Sequence, residues 1–172
     1  MSTQSILLSL FDYKAMAASE LFDALKEGEV AIPADNLRRA LRILNHAHIV
    51  DCIFLAHLEG RPHGCSGSWE PEAPALTELA LSVAEVDGRY RVYLASLDDE
   101  ALDEVVAFTF TDGQAGRMTR AEIFLHVATH SGYHRGEAGS LVPEVEAASM
   151  RDVFAGYLHR AEPARREEMP RS

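Results

Sequence analysis

Apolar residues recur at helical spacing over most of this chain. Ile6, Leu7, Leu10, Phe11, Ala17, Leu21 and Leu25 mark one face of a helix over residues 4–27, which Glu27-Gly28 ends. Pro33-Ala34-Asp35 opens a second helix over about 35–59, with Gly60 placed to close it from the position after its C-cap. The stretch RPHGCSGSWEPEAP, between Gly60 and Ala75, is rich in Gly, Pro and Ser and reads as a loop. A third helix is expected over about 75–96, tolerating Gly88 at some cost, and Asp98–Val105 adds a short helical turn that starts on the solvated acids Asp98-Asp99-Glu100.

At VAFTFTDGQAGRM, residues 106–118, the period changes. Val106, Phe108 and Phe110 alternate with small or polar residues, and Asp112-Gly113 signals a turn, so a β-hairpin or an extended connection is expected. Thr119-Arg120-Ala121-Glu122 has the form of a capping box, in which the Thr side chain and the Glu side chain each satisfy a backbone N–H of the first turn. The helix it begins is expected over about 120–138. Ser149-x-x-Asp152 marks a further helix over about 150–161. Four long helices joined by connections of varied length predict an all-α four-helix bundle with a short hairpin before the last long helix and an extra C-terminal helix. The domain is expected to span residues 1–162, with 163–172 as a polar tail. No internal repeat interrupts it.

Composition removes several function classes. The 172 residues are enough for one domain with a sizeable core. Twenty-seven acidic residues against 16 Lys and Arg give a formal charge of −11, a poor field for nucleic acid, whose binding rests on cationic neutralisation of phosphates. The one dense basic stretch, Arg160–Arg171, is interleaved with Glu. No apolar run approaches the roughly 20 residues of a membrane span, and the N-terminus lacks the basic and cleavage features of a signal peptide. Cys52 and Cys65 form no CxxC pair. Cys52 reads as an ordinary buried thiol. A reduced cytoplasmic location is expected, with no nucleic-acid or membrane partner.

The candidate chemistry lies in HVATHSGYHRGE, residues 126–137. His130 and His134, four residues apart, stand about 40° apart on one helical face, so both imidazoles can reach one ion. His126 continues the row but lies about 12 Å along the axis from His134, so only two adjacent members can share a metal, and spacing does not choose between His126/His130 and His130/His134. A third ligand must come from another helix, and LNHAHIVDCIFLAHLEG in the second offers His46, His48 and, near its end, His57. His46 and His48 differ by about 200° and point to opposite sides. Both of those sides are apolar, so periodicity chooses neither. Spacing alone also leaves open whether the row is a metal site or the edge of a packed helix. Tyr133 and Arg135 are as compatible with the surface as with substrate contact.

Three passages together, LNHAHIVDCIFLAHLEGRPHG, FTFTDGQAGRMTRAEIFLHV and THSGYHRG, resemble the DinB family of damage-inducible proteins, within the DinB/YfiT-like group of metal-binding four-helix bundles. The likeness spans about residues 5–160. It implies a histidine triad, one His from the LNH segment and two from HxxxHRG, which fall on His46, His130 and His134. Asp51 and Phe54 stand where the family has its Asp and a large aromatic residue. The chain departs from the family at Glu137, where Gln or a small residue is common; the carboxylate is a second-layer partner, a surface charge or an added ligand. The resemblance implies a divalent transition metal, zinc or nickel before others, and a homodimer. Relatives in the wider group use a low-molecular-weight thiol, so the implied activity is a metal-dependent S-transferase or hydrolase acting on a small-molecule substrate. The alternative is a non-catalytic metal-binding stress-response protein.

Overall fold

The structure, a computed structural model, describes residues 2–143, 145 and 153–166. Among them four long helices form: α1 (Thr3–Gly28), α2 (Ala34–Leu58), α3 (Leu76–Ala95) and, after a one-turn α4 (Asp99–Leu102) and a two-stranded hairpin, α5 (Arg120–Ser140). The all-α bundle read from the hydrophobic pattern is the fold. In it α1 packs beside α3 and α5, and α2 packs beside the same two. The short α6 (Phe154–Ala161) lies against α1, its Phe154 and Tyr157 rings 5.4 and 6.0 Å from that of Tyr13. Its capping signal at Ser149-x-x-Asp152 falls outside the described residues. Pro163–Arg166, expected to be a plain tail, forms a 3-10 turn after α6.

The boundaries follow local chemistry. The Ser2 hydroxyl accepts the Ser5 N–H at the start of α1, and the Asp98 side chain accepts the Ala101 N–H at the start of α4. Gly60 follows the C-cap of α2 at φ +66°, a conformation that costs a residue with a Cβ and that glycine adopts freely. In the hairpin, β1 (Val105–Thr109) pairs antiparallel with β2 (Ala115–Thr119), with Phe108 opposite Gly116 and Val105 opposite Thr119. The turn holds Gly113 at φ +88°, and the Gln114 N–H donates to the Asp112 carboxylate.

β2 runs directly into α5 through the capping box. The Glu122 N–H donates to Thr119 Oγ1 at 3.1 Å, and the Thr119 N–H donates to the Glu122 carboxylate at 2.7 Å. Both orphan donors are satisfied at the one residue where strand becomes helix, which sets the phase of every later α5 side chain. Thr119→Ala should therefore cost about 0.5–2 kcal/mol of stability, read from the urea midpoint.

The core is not continuous. One apolar block gathers Leu7, Phe11, Phe54, Tyr90, Phe108 and Phe124 near the hairpin; a second gathers Leu21, Leu25, Leu44, Leu79 and Ala138 at the other end. Between them every long helix contributes buried polar side chains: Lys14 from α1, His46 and Asp51 from α2, Asp87 from α3, and Ser131, His134 and Arg135 from α5. The candidate chemistry lies in this polar layer.

Candidate metal centre

α2 and α5 are packed neighbours, and three of their histidines meet. One ring nitrogen from each of His46, His130 and His134 lies within 4.8 Å of the other two. The ring centroids of His130 and His134 are 4.5 Å apart, those of His46 and His134 4.8 Å, and those of His46 and His130 5.2 Å. All three pairs are steeply inclined, at 71°, 88° and 65°, so the rings meet edge to face and are not stacked. Among the described residues this is the one group of three or more His, Cys, Asp or Glu side chains with ligand atoms so placed, and it stops at three.

Two of the rings are held by oxygen partners. His46 Nδ1 lies 2.7 Å from the Ser68 carbonyl, which can only accept, so Nδ1 carries the proton and Nε2 keeps its lone pair. His134 Nδ1 lies 2.8 Å from the Glu137 carboxylate, which directs the His134 lone pair to Nε2 in the same way. Such a partner on the far nitrogen fixes tautomer and ring orientation in a metal-binding histidine. His130 Nδ1 is buried and finds no hydrogen-bond partner among the described residues, so the protein leaves this ring with capacity to spare. Burial lowers the pKa of His46, and burial together with His134 and His46 lowers that of His130 to about 4. A metal ion needs the neutral ring, and the site keeps His46 and His130 in that form at pH 7. The donor set fits a divalent transition metal.

The other histidines are placed elsewhere. His48, on the opposite side of α2, pairs Nε2 with the Ser82 hydroxyl of α3 at 2.8 Å and lies near the half-buried Cys52 thiol, which burial pushes up to about 12. His126 packs against Phe54 at 4.8 Å and His130 at 5.3 Å without joining the cluster, and His57 stacks on Phe108. Tyr133 is exposed and meets the His134 ring at its edge, 5.0 Å away. Arg135, left between surface and substrate by its sequence position, is withdrawn from the surface. It is 7% exposed, within the field of Asp51 and Asp87, with its guanidinium 5.9 Å from the Tyr13 ring centre.

Sequence reasoning missed three parts of the centre. The Gly- and Ser-rich loop after α2 folds over it: besides the Ser68 carbonyl, Trp69 stacks on His46 at 4.1 Å and 5°, and Glu70 accepts from Asn45 at 3.1 Å. Ser131, between the two α5 ligand candidates, donates to Asp51 at 3.1 Å and so ties α5 to α2 at the level of the cluster. Asp51 in turn holds Lys14 at 2.8 Å, and Lys14 also pairs with Asp87. A chain with one tryptophan, set on a histidine of the cluster, carried a signal that no periodicity count uses.

A profile of the DinB family matches residues 1–166. The chain belongs to the DinB family. Comparison with curated proteins and with solved structures found no match. In this DinB-family protein the LNH segment lies on α2 and HxxxHRG on α5, and the histidines of both face one point. Glu137, the departure from the family pattern, is the carboxylate that orients His134. Its side chain remains 43% exposed, which places its effect near the lower end for such partners. Glu137→Ala should weaken metal binding about 10-fold, followed through the fluorescence of Trp69.

Proposed function

We propose that the protein is a divalent-metal-dependent enzyme in which His46, His130 and His134 hold zinc or nickel and a thiol or water attacks a small electrophilic substrate. The convergence of the three imidazoles within 4.8 Å carries this reading. Three protein ligands are the catalytic pattern, because a structural zinc is ordinarily closed by four. A divalent ion held there supplies Lewis acidity, making a thiol or a water nucleophilic near neutral pH.

The protein's own part is orientation and exclusion. The Ser68 carbonyl and Glu137 fix two rings by their Nδ1 atoms, and the Trp69 ring covers the outer face of His46. The Asp51–Ser131 bond fixes α2 against α5, and with it His46 against His130 and His134. In the transferase form of the reaction the thiol sulfur bonds to the electrophilic carbon, the leaving group departs with its electron pair, and the thiol proton passes to solvent. No membrane surface is needed for this, and no helix among the described residues is long and apolar enough to cross a membrane.

Protein prepared without a histidine tag should carry about one zinc or nickel per chain by elemental analysis, as one three-imidazole site implies. With a low-molecular-weight thiol and 1-chloro-2,4-dinitrobenzene it should form the thioether at a rate that chelator abolishes and added metal restores. Absence of stoichiometric metal sinks the proposal. Tight metal binding with no turnover, by any of several thiols or by water on activated esters, would replace it with the non-catalytic metal-binding reading.

A further inference from the structure

Beside His130 the bundle opens into a cavity of about 190 Å³ between α2, the hairpin and α5. The hairpin supplies Phe108, Phe110 and Thr111; α2 supplies Val50, Ile53, Phe54 and His57; His126 and His130 come from α5, and Ser68 comes from the loop over the centre. A quarter of the chain is charged, yet no Asp, Glu, Lys or Arg faces this space. Its aromatic walls are set edge to face: Phe54 and Phe108 at 5.4 Å and 77°, Phe108 and Phe110 at 5.0 Å and 77°. His57 lies nearly flat on Phe108, and its Nε2, shielded from solvent, has no hydrogen-bond partner among the described residues.

The hairpin is shaped for this wall. Phe108 in β1 and Phe110 just past its end both reach over Gly116 of β2. A Cβ on Gly116 would stand 2.4 Å from Phe108 and 2.9 Å from Phe110, so the absent side chain lets both rings lie back from the cavity. Without that room they must move, and the cavity side offers the space. The hairpin packs Val106, Phe108 and Met118 against the bundle's core, and the cavity accounts for its glycine and its second phenylalanine.

We propose that this cavity is the binding subsite for a neutral aromatic ring of the substrate, bearing at most a small uncharged hydrogen-bonding group and seated with its edge towards His130. An apolar cavity of about 150 Å³ is sufficient to take up benzene, so this one accommodates a single ring with a short substituent. An uncharged wall rejects an ionised ring, because the charge loses water and gains no partner. Subsite and histidine triad lie side by side, with His130 common to both, so a ring seated here would present its substituent to the attacking group. That assignment of the ring as part of a substrate rests on the metal-dependent reading of the triad; the binding of the ring does not.

The test is a fluorine NMR titration of the chelator-treated protein with 4-fluorobenzyl alcohol, repeated with 4-fluorobenzoate and 4-fluorobenzylamine, and again after zinc loading. On the chelator-treated protein the alcohol should bind, and both charged analogues should bind at least about 10-fold more weakly. Gly116→Ala should weaken the alcohol at least about 10-fold by driving the two rings into the cavity. Phe110→Ala, at a residue 45% exposed and so of small consequence for folding, should weaken it at least about 5-fold through loss of ring contact. Zinc content should stay unchanged in both variants. The subsite is wrong if the charged analogues bind the chelator-treated protein as well as the alcohol does, or if Phe110→Ala and a folded Gly116→Ala both bind like the parent. Ring binding without zinc binding would overturn the metal reading alone. Zinc binding without ring binding would overturn the subsite alone.

Discussion

Lys14→Met should lower the stability of the fold by about 3–5 kcal/mol at pH 7, a large part of what a domain of this size possesses. The ammonium is 2% exposed, 2.8 Å from Asp51 and in direct contact with Asp87, both of them also buried. With Arg135 it balances the two carboxylates, so the layer between the two apolar blocks carries two positive and two negative charges. Burial opposes the charge on Lys14, but Asp51 and Asp87 outweigh it and hold its pKa above the ordinary lysine value. Its contribution is therefore complete at neutral pH and is lost only as the pH rises through that elevated pKa. Methionine fills similar space and leaves one carboxylate without its counter-charge. Burial already pushes the pKa of Asp87 up against the pull of Lys14, and in the variant that pull is gone. A carboxyl whose folded pKa lies above its unfolded one loses stability as the pH rises through the interval between them. The deficit of the variant relative to the parent should consequently shrink as the pH is lowered from 7 to 5. Lys14→Met combined with Asp87→Asn restores the charge balance and should recover most of the loss at pH 7. Urea unfolding at several pH values measures all three effects; a single-variant deficit below about 1 kcal/mol, the scale of an exposed ion pair, would mean that the charges are not confined as described.

The same layer shows where the sequence stops being legible. Helices α1, α2, α3 and α5 each bury a face over many turns, so a 3.6-residue period locates them to within a few residues. The start of α5 is legible to the residue because Thr119 and Glu122 hydrogen-bond within one turn. Lys14 and Asp87 have no such local partner. They occupy core positions in their helices, 73 residues apart, and a period count registers each only as a break in the apolar face. The choice between His46 and His48 had a related cause. α2 touches α3 on one side and α5 on the other and is buried nearly all round, so both histidines lie among apolar neighbours. Only family resemblance favoured His46. In the structure, His46 meets the α5 histidines and His48 meets Ser82 of α3. The roles of Ser68 and Trp69 follow from the path of a loop, for which no periodicity exists.

His130→Ala should reduce zinc affinity at pH 7.5 by more than about 100-fold, beyond the 10–100-fold that loss of an orienting partner costs. Two imidazoles on separate helices would remain, with two open positions in place of one. His48→Ala, His126→Ala and His57→Ala should each leave affinity within about 3-fold of the parent, since none of those rings has an atom in the three-histidine group and the ion's ligands decide affinity. These substitutions separate the proposed triad from the HxxxH row and from the other face of α2. The dependence on pH adds an independent criterion. His130, held near 4 by burial and by its imidazole neighbours, binds few protons that an ion must displace between pH 7.5 and 5.5, and His46, lowered chiefly by burial, binds fewer than an ordinary imidazole. Log affinity should fall over that range with a slope below the roughly 1.5 protons per ion that three unperturbed imidazoles would average there. Stability of the metal-free protein should move in the opposite sense from the Asp87 effect. A histidine whose folded pKa is depressed lets the unfolded chain take its proton first, so stability falls as the pH drops below about 6.5. His48, His57 and His126 are lowered by burial as well and act in the same direction. Zinc should lift the melting temperature most near neutral pH and least near pH 4, where protons compete with it for His130. Calorimetry with and without zinc across that range decides the point: a zinc shift independent of pH, or one that survives His130→Ala, would place the ion elsewhere.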